Sequence, residues 1–188
     1  DLVFTLSAVV LLIALGTLIN FPSDQNFFLF NDSYKIDHLS TFMKMVTIIS
    51  GIFVLISSYK YIKLVKIFDI EYPILILASI LGMLVMISSY DLIVFYVGLE
   101  LQTLSLYVLA AFDKNQKNSS EAGLKYFVLT ALSSGLLLYG CSLIYGFTGS
   151  TNFEVISNQL NSSEYALTFG IVFILVGLAF KISAVPFH

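Results

Sequence analysis

The hydrophobic positions of the chain fall into six long runs separated by polar stretches. A transmembrane helix needs about 20 mainly apolar residues, and each run is close to that length. A membrane β-barrel would instead show alternating segments of about 10 residues. The pattern predicts an all-α integral membrane protein, forming a single membrane domain over residues 1–188 with six transmembrane helices. Their predicted bounds are about 2–21, 39–59, 72–90, 92–112, 121–147 and 165–187.

The composition supports this class and excludes several others. Hydrophobic residues make up 58% of the chain and charged residues only 11%, whereas a soluble domain carries about 25% charged residues. Too few polar groups are present to cover a soluble surface. We therefore exclude a globular cytosolic enzyme, a nucleic-acid binder and a disordered tail, and expect membrane lipids as neighbours.

The polar stretches between the runs give the orientation. We expect loops near residues 24–38, 113–120 and 148–164, and Asp37 is predicted to cap the second helix. Lysines concentrate in alternate loops, which the positive-inside rule places on the inner side of the membrane. These inner lysines are Lys60, Lys63 and Lys66 after the second run, and Lys114 and Lys117 after the fourth.

Glu100 is the one charged residue inside the fourth run. It lies about 12 Å along the helix from Leu92, within an apolar layer about 30 Å thick. An ionised group at such depth costs about 2.5–3.5 kcal/mol, so a function in ion or proton transfer is the leading interpretation. Tyr96, Thr103 and Tyr107 share its face at helical spacing. A protonated acid that only bonds a neighbouring helix remains the structural alternative.

Lys181 lies about 24 Å into the sixth run, five residues before Pro186. Proline removes a helical hydrogen bond and clashes with the carbonyl four residues earlier, at Ile182. The sequence therefore predicts a discontinuous helix near Pro186, with Lys181 beside freed carbonyls as a protonation site. The alternative is a lysine that extends to the inner interface while the proline ends the helix.

Two further residues have weaker signals. Lys125 lies a few residues into the fifth run, where extension to the interface competes with a role at the depth of Lys181. His188 would share the face of Lys181 if the helix continued. Cys141 is alone, and nucleotide-binding, CxxC and paired-histidine haem patterns are missing from the sequence. We therefore expect neither a cofactor nor a metal in this chain.

Three segments together resemble a known family. They are SSYDLIVFYVGLELQTLSLYVLAAF (88–112), EAGLKYFVLTALSSGLLLYGCSLIYGFTGSTNF (121–153) and GLAFKISAVPFH (177–188). These segments resemble subunit 2, also called subunit N, of proton-pumping NADH:ubiquinone oxidoreductase, respiratory complex I. The first 70 residues agree with that subunit in hydropathy only.

The resemblance implies an antiporter-like membrane-arm subunit with inverted helical repeats and no redox cofactor. It implies proton translocation coupled to NADH oxidation and ubiquinone reduction. Glu100 matches the family's helix glutamate, Lys181 the lysine of its broken helix, Lys125 a lysine between them, and His188 the histidine of VPFH. Partners would be other complex I membrane-arm subunits. The family's greater length implies that a missing remainder or a second polypeptide completes this N-terminal part.

Two alternative functions stay open from the sequence. The chain could belong to a secondary cation/proton antiporter, or it could be a purely structural membrane scaffold. For location, the resemblance of GLKYF and VPFH to mitochondrial versions favours the mitochondrial inner membrane, with a bacterial plasma membrane as the alternative.

Overall fold

The computed structural model describes residues 2–20, 26–65, 70–113, 115–159 and 165–185, which form seven helices and one small hairpin. Long apolar stretches make most of the helices, since a helix satisfies every backbone hydrogen bond internally. The helices are α1 (Leu2–Ile19), α2 (His38–Val65), α3 (Glu71–Ile87), α4 (Leu92–Ala110), α5 (Lys117–Thr148), α6 (Phe153–Gln159) and α7 (Tyr165–Lys181). The antiparallel hairpin pairs β1 (Phe27–Leu29) with β2 (Tyr34–Ile36).

The six predicted spans correspond to α1–α5 and α7. Four helices, α1, α2, α4 and α5, are long and apolar enough to cross a membrane, and α3 and α7 are shorter apolar helices. The regular helix α7 ends at Lys181, whereas the predicted sixth span continues to about 187, outside the described residues. Helices α2 and α5 are longer than the predicted spans, because polar turns that carry lysines stay helical beyond the apolar core.

Two of the predicted loops contain regular structure. The stretch 24–38 includes the hairpin, and the stretch 148–164 includes α6. Asp37 caps α2 as predicted: its Oδ1 accepts from the backbone N–H of Ser40 at 2.7 Å, and the Ser40 hydroxyl accepts from the Asp37 N–H at 2.9 Å. This backbone hydrogen bond from Ser40 lowers the pKa of the Asp37 carboxyl.

Helices that follow one another pack side by side and bury two apolar clusters. One cluster joins α1, α2 and α3, and the other joins α4, α5 and α7 with Ile156 of α6. The fully buried Ile48 and Leu137 lie in the first and second cluster, respectively. The second cluster surrounds the candidate site.

Glycines bring the backbones of the packed helices close together. A Cβ on Gly140 of α5 would lie 2.7 Å from the Gly170 carbonyl oxygen of α7. A Cβ on Gly177 of α7 would lie 2.9 Å from the backbone carbonyl oxygen of Ser133. Gly82 and Gly98 make the same close approach between α3 and α4. Small residues at such contacts are typical of membrane helices, whose association depends on close packing.

One end of the helices is closed by three connections that bond to one another. The Lys35 N–H donates to the Ser88 carbonyl at 2.8 Å, and the Tyr90 N–H donates to the Ser33 carbonyl at 2.9 Å. The Leu92 N–H reaches the Thr151 carbonyl at 2.9 Å. We call this the outer end, because the described lysines at the opposite ends of α2 and α5 mark the inner side by the positive-inside rule.

Candidate functional site: an intramembrane ion pair

Asp91 fixes where α4 begins and so the position of Glu100. Its Oδ1 accepts from the Ile93 N–H at 2.7 Å and the Val94 N–H at 3.4 Å, and its other oxygen accepts from the Thr151 hydroxyl. This side-chain cap starts the helix at the outer end. Glu100 then lies in the first half of α4, with its side chain 24% exposed.

Lys181 is the last residue of α7, where the helix ends in a Schellman motif. The Ala184 N–H donates to the Ala179 carbonyl at 2.9 Å, and the Ser183 N–H donates to the Phe180 carbonyl at 3.1 Å. Ser183 has φ 52°, the left-handed conformation that this motif requires. The ammonium group therefore belongs to the negative end of a helix, which favours a cation.

The break near Lys181 was predicted from Pro186, which lies outside the described residues. Within them, α7 ends at Lys181, and the left-handed Ser183 turns the backbone away from the helix axis. A side chain at a left-handed position is uncommon, so this turn stores strain. The observed termination thus occurs five residues before the proline.

The two charged side chains are in direct contact. The Nζ of Lys181 donates to Oε1 of Glu100 at 2.6 Å, and only 7% of the Lys181 side chain is exposed. The hydroxyl of Ser134, on α5, donates to the same oxygen at 2.5 Å. Three helices, α4, α5 and α7, therefore converge on one carboxylate oxygen.

This contact joins residues that lie at different distances along their own helices. Glu100 lies about 12 Å from the start of its predicted helix and Lys181 about 24 Å from the start of its own, a difference of about 12 Å. The outer ends of the helices are not level, since Ser134, near the middle of the 32-residue α5, bonds to the first half of the 19-residue α4. Side chains also lean toward the N-terminus of their own helix, so Lys181 reaches outward from the end of α7.

Ser134 is the member of the site that the sequence analysis missed. Thr130, Ser133 and Ser134 are all buried small polar residues on α5. The hydroxyls of Thr130 and Ser133 donate to carbonyls of their own helix, whereas that of Ser134 crosses to Glu100. The signal was a cluster of hydroxyl residues inside an apolar run, but the sequence does not show which hydroxyl faces the neighbouring helix.

The polar residues that share the α4 face with Glu100 make different contacts. The Thr103 hydroxyl donates to the carbonyls of Leu99 and Glu100 in its own helix. The Tyr107 ring packs edge-on against Phe127 of α5, with ring centroids 5.4 Å apart. This side of α4 therefore belongs to its interface with α5.

Lys125 is not brought to the pair. Its Nζ lies 2.6 Å from Oε1 of Glu121, one turn earlier on α5, and the two side chains are 71% and 57% exposed. This arrangement fits an exposed helical pair near the inner end of α5. A role for Lys125 in proton transfer stays a prediction, and His188 lies outside the described residues.

A cavity of about 100 Å³ adjoins Lys181 between α5 and the end of α7. Its lining combines aromatic and hydroxyl side chains, and the volume is large enough for several water molecules. The lining residues are Tyr126, Leu129, Thr130, Ser133, Phe180, Lys181 and Ser183. Tyr126 lies in the inner part of α5, so the cavity extends from Lys181 toward the inner side.

The described residues contain no group of three or more His, Cys, Asp or Glu that could hold a metal ion. Cys141 is free and buried in α5. The ion-pair arrangement itself consists of a carboxylate and an ammonium inside an apolar bundle, both bonded to or near one hydroxyl.

Residues 89–188 match the family model described as "NADH:quinone oxidoreductase/Mrp antiporter, TM". The chain belongs to this family. The matched region contains every helix of the ion-pair site, α4, α5 and α7. The resemblance seen in the sequence is thus confirmed at the level of the family.

Among curated members of the NADH:quinone oxidoreductase/Mrp antiporter family, the chain is 68% identical over its whole length to NADH-quinone oxidoreductase subunit N of Pelagibacter ubique. It is 55% identical over 91% of its length to the subunit N of Bartonella bacilliformis. The chain spans 40% and 35% of these two relatives. Both organisms are bacteria, so the predicted mitochondrial location is not supported.

Solved structures of the family share this fold. A chain of respiratory complex I from Thermus thermophilus matches 99% of this chain with a TM-score of 0.79 at 29% identity, and 40% of that chain is covered. A chain of the Mrp complex from Dietzia sp. matches all of this chain with a TM-score of 0.75 at 23% identity, and 37% of it is covered. The second likeness shows the fold alone.

Proposed function

We propose that the chain is part of subunit N of a proton-pumping NADH:quinone oxidoreductase and takes part in proton translocation. The observation that carries the proposal is the contact of Glu100 with Lys181 and Ser134 between three helices. The identity to curated subunit N sequences supports the choice of complex. In this role the chain contributes no redox centre of its own, and its partners are the other membrane-arm subunits.

The ion pair offers a physical means of moving a proton. The ion pair of Glu100 and Lys181 has no net charge, so the two opposite charges are tolerated together in a medium of low dielectric constant. Removing one partner of a buried pair costs about 3–5 kcal/mol, because the other charge is left without compensation. A movement that separates the two groups therefore drives one of them to gain or lose a proton, and quinone reduction elsewhere in the complex would supply that movement.

The cavity beside Lys181 supplies an inner route for this proton. Hydroxyls of Thr130 and Ser133 line it, and the lysine ammonium forms part of its wall. Water in this space would connect the ammonium to the inner side without passing through the apolar cluster. We propose a bacterial plasma membrane as the location, in keeping with the bacterial relatives.

An antiporter subunit is the second candidate function. The family description includes the Mrp antiporters, and the fold of a Mrp chain matches this one. That function predicts sodium-dependent proton movement in vesicles without NADH, whereas the proposed function predicts proton movement that requires NADH oxidation. A scaffold, the third possibility, predicts that neutralising the pair changes assembly alone.

Neutral substitutions of the pair test the proposal in the assembled complex. Glu100→Gln and Lys181→Met remove one charge each, and we expect both to reduce NADH-driven proton pumping strongly while the complex still assembles. Pumping is measured by the quenching of a pH-sensitive dye in inverted vesicles, and assembly by native electrophoresis.

Glu154→Gln is the matched control, because it makes the same chemical change on exposed α6 at the outer end. It should leave pumping unchanged. Normal pumping in both Glu100→Gln and Lys181→Met would rule the mechanism out.

A further inference from the structure

A second lysine is buried in the membrane domain, away from the ion pair. Lys44 on α2 is 7% exposed, and its Nζ donates to the Tyr34 hydroxyl at 2.9 Å. The same nitrogen lies 4.8 Å from the centre of the Tyr34 ring. A neutral phenol thus holds this ammonium group, which gives it less electrostatic compensation than a carboxylate would.

The surroundings of Lys44 contain little opposite charge within the described residues. In the hairpin region, Lys35 and Asp37 pair with each other at 3.4 Å. Helix α1, which packs against α2, carries no ionisable side chain, and the one charged residue of α3 is Glu71, at its inner end. The low exposure of Lys44 also argues against a lysine that simply extends to the interface.

A cavity of about 380 Å³ lies under the hairpin at the outer end, and its lining includes Met43 and Lys35, the chain neighbours of Lys44 and Tyr34. Ser40, one turn before Lys44 on α2, lines it, as do the charged Lys35 and Asp37 and the phenol of Tyr90. Ser88 also lines it, and its hydroxyl is buried without a hydrogen-bond partner, with the residue 2% exposed. Buried hydroxyls are nearly always paired with protein or water, so this wall fits bound water.

We infer that Lys44 is a second proton-exchanging group, which passes protons to the outer aqueous phase through Tyr34 and water in the outer cavity. In this step the ammonium gives its proton to the Tyr34 oxygen while the Tyr34 hydroxyl proton passes to water, which leaves a neutral amine and a neutral phenol. The Tyr34 hydroxyl, which accepted from the ammonium, then donates to the amine. The transported proton restores the ammonium. The inference rests on the proposed function, which supplies that proton.

Two substitutions of Lys44 separate proton exchange from a fixed charge. Lys44→Met removes the charge, whereas Lys44→Arg keeps it but cannot be deprotonated in a protein. In the assembled complex, we expect both to lower the initial rate of NADH-driven pumping by about 100-fold, the lower end of what a positioned proton-transfer group contributes. NADH oxidation in the presence of an uncoupler should persist. Pumping at the wild-type rate in Lys44→Arg overturns the inference.

Two further variants keep the test decisive if the Lys44 variants fail to assemble, and show whether the effect is specific to Lys44. Tyr34→Phe keeps the ring and removes the hydroxyl, so we expect it to slow pumping as well. Lys60→Met, which makes the same change at an exposed lysine near the inner end of the same helix, is the matched control and should pump normally. If both Lys44 variants fail to assemble while Tyr34→Phe pumps normally, Lys44 is structural and the inference is wrong.

Glu100→Gln measured in parallel separates this inference from the proposed function. Loss of pumping in Glu100→Gln with normal pumping in the Lys44 variants removes only the inference. Normal pumping in both Glu100→Gln and Lys181→Met removes the proposed function itself.

Discussion

At the scale of single residues, one carboxylate oxygen determines the chemistry of the site. Oε1 of Glu100 accepts from the Lys181 ammonium and from the Ser134 hydroxyl. The hydroxyl belongs to a short, buried side chain on α5, so its position is fixed by the packing of that helix. Ser134 therefore supplies a second hydrogen bond to this oxygen, independent of the one from Lys181.

Removing this donor should weaken proton pumping without abolishing it. A hydrogen bond to a charged group contributes about 1.5–3 kcal/mol. Ser134→Ala should therefore slow pumping by about tenfold or more, yet less than Glu100→Gln, because the ion pair itself remains. The measurement is the initial pumping rate in inverted vesicles.

Ser142→Ala is the matched control, since the exposed Ser142 hydroxyl donates to the Tyr139 carbonyl within α5. It should pump at the wild-type rate. If the two alanine variants have the same pumping rate, the hydrogen bond from Ser134 to Glu100 does not contribute to pumping.

At the scale of helices and strands, the apolar runs predict which transmembrane helices form but not the residues at which they end. The six runs became six apolar helices, because backbone groups in lipid must bond within the segment. The end of α7 depends on a left-handed Ser183, which a sequence pattern does not reveal. The hairpin is held in place by contacts with Ser88 and residues 150–153, which lie far from it in the chain. Its strands are only three residues long, which is too short to show an alternating pattern in the sequence.

The same reasoning explains which parts of the site were predictable. Charged residues in apolar runs are conspicuous, and Glu100 and Lys181 were singled out for that reason. Lys125 was equally conspicuous but lies on the exposed face of α5 beside Glu121. Whether a charged residue meets a partner depends on how far neighbouring helices are shifted along their axes and on which side each helix turns toward its neighbour. Both depend on glycine packing between helices rather than on the spacing of residues within one helix.

The glycine contacts between α5 and α7 should be essential for the alignment of the ion pair. A Cβ on Gly140 would lie 2.7 Å from the Gly170 oxygen and 2.9 Å from the Ile174 nitrogen, both backbone atoms that cannot easily move aside. Gly140→Ala should therefore separate the helices and lower the thermal stability of the complex. Melting of the purified complex measures this effect.

Gly135 offers a control on the same helix, because a Cβ there would meet nothing within 4 Å. Gly135→Ala should be neutral or stabilise by about 0.5–1 kcal/mol, since alanine favours helix over glycine. A melting temperature for Gly140→Ala equal to that of Gly135→Ala would contradict the close packing.

At the scale of the whole molecule, the chain has two different ends. The outer end is closed by backbone hydrogen bonds that join the hairpin, residues 88–91 and residues 150–153. The described lysines of the inner end lie on exposed turns of α2 and α5, where they can meet anionic lipid head groups. The cavity beside Lys181 extends toward the inner end, whereas the larger cavity lined by Ser40 and Ser88 lies under the hairpin. Under the proposed function, the orientation of the chain sets the direction in which a proton crosses the membrane.

Labelling of introduced cysteines tests that orientation. Ser120 is exposed near the start of α5 and Ser157 is exposed on α6, so Ser120→Cys and Ser157→Cys make the same nearly isosteric change at opposite ends. A membrane-impermeant maleimide should label Ser157→Cys in intact spheroplasts and Ser120→Cys in inverted vesicles. The native Cys141 is buried and should contribute little background. The reverse labelling pattern would place Lys44 on the uptake side and Lys181 on the release side, so the direction assigned to both cavities would have to be exchanged.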